Sequence, residues 1–352
     1  MQSLVGLAIL LYAATLIAAC VGLWIFIFKR FREGTPVLEA RPAPPANWGL
    51  VDVLGGAIGV IFLIIVFSAI AVGPRSSSSE LTIEQQSGMM WAQMFAQSLV
   101  CLIILGLIFL RGGRNQIFGD SPSTFLNDVK IGIAAFGALC VPVLVLQMIL
   151  ALLVPYEHQL IDMMLTNPTS NIIIPVVFSA VIIAPLTEEF AFRLVLQGWL
   201  EDVLSGRLHN GVEILLGRIV GLDLNRSETF EVASEPLVKS LPASDVEESA
   251  NPYQSPLPET VAAEVPVNGN EARPQLMAVP ILVSSLLFAG LHLGQGAAPI
   301  PLFVLALGLG YVYQKTRTLT PSLVVHMLLN GQSMLLLLLQ LIFGDGLTEP
   351  PV

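Results

Sequence analysis

The chain is poor in charged residues. Only 12% of its 352 residues are Asp, Glu, Lys or Arg, whereas a typical soluble domain has roughly 25%. With 54% hydrophobic residues and a mean hydropathy of +0.77, it has too few polar side chains to cover a water-soluble surface of its size. These values exclude a soluble globular enzyme as the main body of the protein.

Basic residues and cysteines are also scarce. The formal net charge is −10, with 16 Lys and Arg against 26 Asp and Glu, so no basic surface is available for phosphates and a nucleic-acid partner is excluded. The three cysteines, Cys20, Cys101 and Cys140, all lie inside apolar runs. They are too few and too scattered for a disulfide framework or a thiolate metal site.

Long apolar runs dominate what is present. A helix needs about 20 apolar residues to cross the hydrocarbon core of a bilayer, and the runs predict an all-α polytopic membrane protein with about eight transmembrane helices surrounded by lipid. A core bundle of these helices is expected to carry the functional site. The predicted spans are 4–28, 51–72, 91–110, 131–154, 172–204, 277–293, 302–315 and 322–343.

The distribution of basic residues predicts the topology. If the first span runs from outside to inside, 14 of the 16 Lys and Arg face the cytoplasm, which is the side that positive loops prefer. This arrangement puts both termini outside. We expect an integral protein of a bacterial cytoplasmic membrane.

The same patterns divide the chain into three parts. Residues 1–171 form an N-terminal membrane region of about four spans, and residues 172–204 with 276–343 form the predicted catalytic membrane core. Between them lies an insertion, 205–275, whose stretch from Asp223 to Glu271 carries ten acidic residues. Its proline-rich, acidic composition cannot bury enough apolar surface to fold, so it is predicted to be a mostly disordered cytoplasmic loop.

Three charged residues lie together inside the fifth span. A charge at mid-bilayer costs about 2.5–3.5 kcal/mol on insertion scales, so Glu188, Glu189 and Arg193 are candidates for function. Glu189 and Arg193 are four residues apart and can pair on one helix face. Glu188 points about 100° away, toward a different neighbour. Pro185, one turn earlier, is expected to bend the helix and free backbone carbonyls.

Two histidines and an asparagine lie in the later spans. His292 follows Phe288 at the end of the sixth span, while His326 and Asn330 are four apart on the eighth and face the same cavity. A carboxylate and an imidazole can deprotonate one water or complete an open metal site. A second imidazole and a carboxamide can stabilise an oxyanion. This set suffices for peptide hydrolysis without a Ser or Cys nucleophile.

The order of these motifs resembles a known family. Glu188-Glu189-x-x-x-Arg193, Phe288-x-x-x-His292 and His326-x-x-x-Asn330, in this order on three membrane helices, are similar to the CPBP intramembrane proteases. These comprise the CAAX-prenyl-protease and bacteriocin-processing group, also called the Abi or type II CAAX prenyl endopeptidase family. The resemblance covers about residues 172–342.

The resemblance implies a role for each matching residue. Glu188 is the general base on the attacking water, His292 helps to hold that water, and Glu189 with Arg193 supports the site. His326 and Asn330 stabilise the oxyanion. The family's metal dependence is disputed, so one divalent metal, zinc, is a candidate cofactor with Glu188, His292 and His326 as its ligands. The implied substrate is a peptide or membrane-protein segment, with prenylated CAAX peptides as the family default.

Other functions remain open, and the sequence departs from the usual pattern of this family. The same buried charges also suit a catalytically silent scaffold or regulator of this family, or an ion-coupled transporter. The 104 positions between Glu188 and His292 exceed the usual family spacing, and the insertion accounts for the excess. His326 also lies near the start of its span while His292 lies at the end of its own. A displaced or broken seventh span, or a deep funnel, is therefore expected.

Overall fold

The protein is described from a computed structural model that covers residues 2–42, 46–73, 82–112, 117, 119, 121–154, 159–208, 210–218 and 274–343. Every regular element in these ranges is a helix. We label them α1 Gln2–Arg32, α2 Leu50–Val72, α3 Ile83–Leu110, α4 Pro122–Ala151, α5 Gln159–Thr166, α6 Ser170–Leu204, α7 Gly211–Leu216, α8 Val279–Gly290, α9 Pro299–Thr316 and α10 Thr320–Phe343. A 3-10 turn, Pro274–Ala278, leads into α8.

The predicted all-α membrane architecture is confirmed. Within the described ranges, six helices are long and apolar enough to cross a membrane: α1, α2, α3, α4, α6 and α10. The sixth predicted span is the shorter apolar helix α8, and the seventh is the 18-residue helix α9. These two helices pack tightly against each other and form a hairpin.

α6 is the central helix of the bundle. It packs against α2, α3, α8, α9 and α10. Two of its segments, Ser179–Ile183 and Phe190–Gln197, are π-helical, and the α-helical stretch Ala184–Glu189 lies between them. Such widened, π-helical turns are rare in proteins overall, but those that occur are frequently found at functional sites.

Ion pairs gather several helix ends at one end of the bundle, which we call the basic end. Arg41 pairs with Asp128 at 2.6 Å, and Arg111 pairs with Asp52 at 2.6 Å. Arg317, in the turn between α9 and α10, pairs with Glu201 near the end of α6. Arg41, Arg111 and Arg317, which the charge pattern assigned to one side of the membrane, therefore lie at the same end of the bundle.

The N-terminal region and the helices that follow it share one packed interior. α4 packs on α9 and α10, and α1 packs on the outside of α4. The linker between α1 and α2 is buried against α6, with Trp48 only 2% exposed. Residues 219–273 of the insertion lie outside the described residues, so its predicted disorder stays a prediction. His158 and His209 also lie outside them.

Candidate active site

Pro185 and Asn330 together explain the first widened turn of α6. Within Ser179–Ile183 the backbone pairs five residues apart, as the bond from the Ala184 N–H to the Ser179 carbonyl shows. Pro185 has no N–H, so it cannot donate a hydrogen bond to the next carbonyl, that of Ala180. The Asn330 side chain of α10 donates to this oxygen at 2.8 Å. The carbonyl that Pro185 was expected to free thus has a partner on another helix.

Glu189 and Arg193 form a buried ion pair. Their side chains are 1% and 0% exposed, and Arg193 Nε lies 3.4 Å from Glu189 Oε2. The predicted pairing within the helix is therefore observed. Arg193 also donates to the Ser284 hydroxyl of α8 at 2.8 Å, and its guanidinium lies 5.6 Å from the centre of the Phe288 ring.

Both glutamates reach the same histidine. His326 Nδ1 donates to Glu189 Oε1 at 3.0 Å, and His326 Nε2 lies 3.7 Å from Glu188 Oε2. Glu188, predicted to turn toward a neighbour other than Arg193, contacts His326, which Glu189 contacts as well. Consecutive helix positions do diverge, but the imidazole lies between the two side chains and presents one nitrogen to each. The Glu188 side chain is 26% exposed, so it is the accessible carboxylate of the two.

His292 borders this group from α8. Its Nδ1 donates to the Phe288 carbonyl at 3.0 Å, and it is close enough to Glu188 for an electrostatic interaction. The Phe288 ring packs against both imidazoles, with ring centres 5.2 Å from His292 and 5.8 Å from His326. Phe288 thus contacts both histidines.

The predicted seventh span is not broken, because α9 is one continuous helix over Pro299–Thr316, and the site residues still reach similar depths. Gln314 bonds to both Glu201 and the Met277 carbonyl, which sets the start of α8 level with the end of α6. The Arg193–Ser284 bond continues this antiparallel register toward Glu188 and His292. Arg317 in the α9–α10 turn contacts Glu201, so this turn lies level with the end of α6. Counted from Arg317 at the helical rise per residue, His326 lies about 14 Å further into the bundle, close to the level of Glu189.

The six predicted site residues do not all converge. Glu188, Glu189, Arg193 and His326 form one contiguous group, and His292 borders it. Asn330, predicted to share a cavity with His326, is instead bonded to Ala180 of α6. His326, expected beside Asn330 at an oxyanion, has a carboxylate at each ring nitrogen.

The candidate zinc ligands fit a metal only in part. Both histidines are held through Nδ1, so Nε2 of each neutral ring is the nitrogen available to a metal, as is common in metal-binding histidines. A carboxylate and two imidazoles are also a known catalytic zinc set. However, no three His, Cys, Asp or Glu side chains in the described part of the chain are close enough together to hold a metal ion. We therefore derive no step through a metal.

Comparison with known proteins bears on the two histidine helices. Residues 266–332 match the family model of type II CAAX prenyl endopeptidases, Rce1-like. The resemblance to CAAX proteases is thereby confirmed over this segment. It contains His292, His326 and Asn330. No curated protein and no solved structure matches the chain. The glutamates lie outside the Rce1-like segment, and their contacts with His326 connect them to it.

Ser284 is a site residue that the sequence reasoning missed. It receives the Arg193 bond and donates its own proton to the Phe192 carbonyl at 2.9 Å. A signal was present, because Ser284, Phe288 and His292 recur every four residues and so share one face of α8.

The different burial of the two glutamates predicts different stability effects. Glu189→Gln leaves the Arg193 charge buried without its partner, which typically costs about 3–5 kcal/mol. Glu188→Gln changes an accessible carboxylate and keeps the ion pair. We expect thermal unfolding in detergent to show a large loss of stability for Glu189→Gln and little change for Glu188→Gln. Equal losses in the two variants would contradict the division between a buried and an accessible carboxylate.

Proposed function

We propose that this protein is a membrane endopeptidase that activates its attacking water between Glu188 and His326. The observation that carries the proposal is the shared imidazole: Glu189 occupies Nδ1, and Glu188 lies 3.7 Å from Nε2. The match of residues 266–332 to type II CAAX prenyl endopeptidases supports the same reaction class.

The protonation of His326 follows from its partners. A carboxylate can only accept, so Glu189 requires the proton of neutral His326 to be on Nδ1. Nε2 then carries a lone pair that faces the Glu188 carboxylate. His326 Nε2 and the Glu188 carboxylate are then both hydrogen-bond acceptors, at a separation too long for a direct bond. A water molecule that donates one proton to each would bridge them. The same pair would orient a lone pair of the water toward a substrate carbonyl.

The reaction is a hydrolysis with simple proton accounting. Glu188 removes a proton from the water as the oxygen attacks the scissile carbonyl carbon, and later delivers that proton to the leaving amine nitrogen. Glu189 fixes the ring and tautomer of His326, as the acidic member of a catalytic triad does. Arg193 pairs with Glu189 and balances its charge in the apolar interior. His292, with Nδ1 bonded to Phe288, offers Nε2 to water or substrate.

The structure favours a revised assignment for the oxyanion. His326 faces carboxylates, which suits water binding rather than stabilisation of a negative charge. Asn330 has one amide proton bonded to Ala180, so it contributes at most its second proton. We therefore propose that Asn330 acts mainly by holding the widened turn that precedes Glu188.

The proposed substrate is a peptide or a membrane-protein segment, with prenylated CAAX peptides as the first to be tried. The support is the family match. The proposed setting is a bacterial cytoplasmic membrane, with both termini outside and the 205–275 insertion in the cytoplasm. The gathering of Arg41, Arg111 and Arg317 at one end supports the relative order of the spans.

Single substitutions of the water-binding pair test the reaction. We expect Glu188→Gln and His326→Asn to remove at least about 99% of the cleavage of a farnesylated fluorogenic CAAX peptide by purified protein, since loss of a general base typically costs 10²–10⁴-fold. Glu33→Gln is the matched control, because that glutamate is half-exposed outside the site. Folded Glu188→Gln protein with undiminished cleavage would exclude the mechanism. A wild-type protein that cleaves neither prenylated nor plain peptides would favour a silent scaffold or a transporter.

Removal of metal tests the partial fit of the zinc ligands. Because Glu188, His292 and His326 are not gathered at ligand distance, we expect cleavage to survive dialysis against 1,10-phenanthroline with less than about a twofold loss, where metal-assisted hydrolysis would lose several kcal/mol of stabilisation. The non-chelating 1,7-isomer is the matched control for inhibitor binding. Loss of activity with the 1,10-isomer alone, restored by Zn²⁺, would establish the metal site instead.

A further inference from the structure

Four residues before α2 form a buried strap across the basic end. Ala46, Asn47, Trp48 and Gly49 are all buried, although no membrane helix includes them. A β-carbon on Gly49 would lie 2.3 Å from the Leu215 carbonyl oxygen, and one on Gly217 would lie 2.4 Å from the Trp48 nitrogen. The strap therefore passes backbone against backbone beneath the start of the insertion.

Trp48 connects this strap to the helix that carries the glutamates. Its indole N–H donates to the Val195 carbonyl at 2.9 Å, and Val195 lies inside the second π-helical segment of α6, Phe190–Gln197. The ring also fills the space that Gly198 leaves, since a β-carbon there would come within 3.0 Å of Trp48 Cζ2. Shape and hydrogen bond thus both match the indole to this turn.

The strap is anchored on both sides of Trp48. The Ala46 N–H donates to the Asp202 carboxylate, and the Arg218 N–H donates to the Ala46 carbonyl. The Gly49 N–H donates to Asp52, which pairs with Arg111. These bonds fix the backbone on either side of Trp48, so its indole is held in place against α6.

The π-helical turn that Trp48 contacts sets the orientation of the charged side chains. Arg193 lies inside the same π-helical segment, and Glu189 immediately precedes it. If the segment returned to α-helical pairing, a one-residue change of register would turn one side of it by about 100° relative to the other. The Arg193 contacts with Glu189 and Ser284 could not survive that rotation together. A donor that favours the widened turn therefore also favours the orientation of Glu189 and, through it, of His326.

We propose that Trp48 is a positioning residue for the endopeptidase site, acting through the π-helical turn of α6. This inference rests on the proposed function. Trp48 touches no reacting atom; it holds the turn that aligns Arg193, Glu189 and His326. Its removal should therefore lower kcat, whereas substrate binding, and with it KM, should change little.

A matched pair of tryptophans tests this role. Trp48→Phe keeps a ring but removes the bond to Val195. Trp199→Phe removes the same type of bond from a neighbouring residue, whose indole donates to the Ile214 carbonyl at 3.0 Å, outside the π-helical turn. With the farnesylated CAAX peptide as probe, we expect Trp48→Phe to lower kcat about fivefold at unchanged KM, as loss of about one hydrogen bond's free energy implies. Trp199→Phe should leave kcat nearly unchanged.

Hydrogen–deuterium exchange supplies a second readout that needs no activity. Amides of residues 190–198 should exchange faster in Trp48→Phe than in the wild type, and Trp199→Phe should leave them unchanged. Equal effects of the two substitutions on kcat and on exchange would reduce Trp48 to a general packing residue and overturn the proposal. If the wild type cleaves no peptide, the proposed function fails. Exchange then decides alone whether Trp48 holds the turn.

Discussion

A buried ion pair in an apolar bundle is the constraint on which this structure depends. Glu189 and Arg193 are almost completely excluded from solvent, and charges in such surroundings are costly unless they are paired. The pair is contacted from two other helices: by Ser284 and Phe288 of α8, and by His326 of α10. The need to satisfy one ion pair therefore fixes both histidine helices against α6.

The same pair separates two carboxylates that are adjacent in sequence. Glu189 is committed to Arg193 and to one nitrogen of His326, so it can orient but is not free to exchange protons with substrate. Glu188, with a quarter of its side chain exposed, faces the other nitrogen. Glu189 thus has a structural role, and its neighbour Glu188 has the proposed catalytic role.

Two backbone carbonyls of α6 accept hydrogen bonds from side chains outside the helix. Pro185 leaves the Ala180 carbonyl without its backbone donor, and Asn330 of α10 fills the gap. The Val195 carbonyl in the second widened turn is contacted by Trp48 of the linker before α2. Widened turns are therefore maintained on both sides of Glu188 and Glu189 by side chains distant in sequence. This explains why the N-terminal region packs into the core that carries the site.

The sequence predicted much of this arrangement and missed a definable part. Apolar runs located the helices, and four-residue spacing paired Glu189 with Arg193. Helical spacing describes only the face of one helix, so it could not reveal that Glu188 and Glu189 share His326. Nor could it show that Asn330 serves a backbone carbonyl. The widened turns also escape a 3.6-residue periodicity, and the buried strap around Trp48 has no periodic signal at all.

A double-mutant cycle between Glu188 and His326 tests the central claim most directly. If the two residues bind and activate one water, their effects on kcat/KM are not independent. The account predicts that Glu188→Gln combined with His326→Asn is no more damaging than the worse single substitution. Losses that multiply in the double variant, each residue contributing its full factor, would contradict a shared water and with it the proposed mechanism.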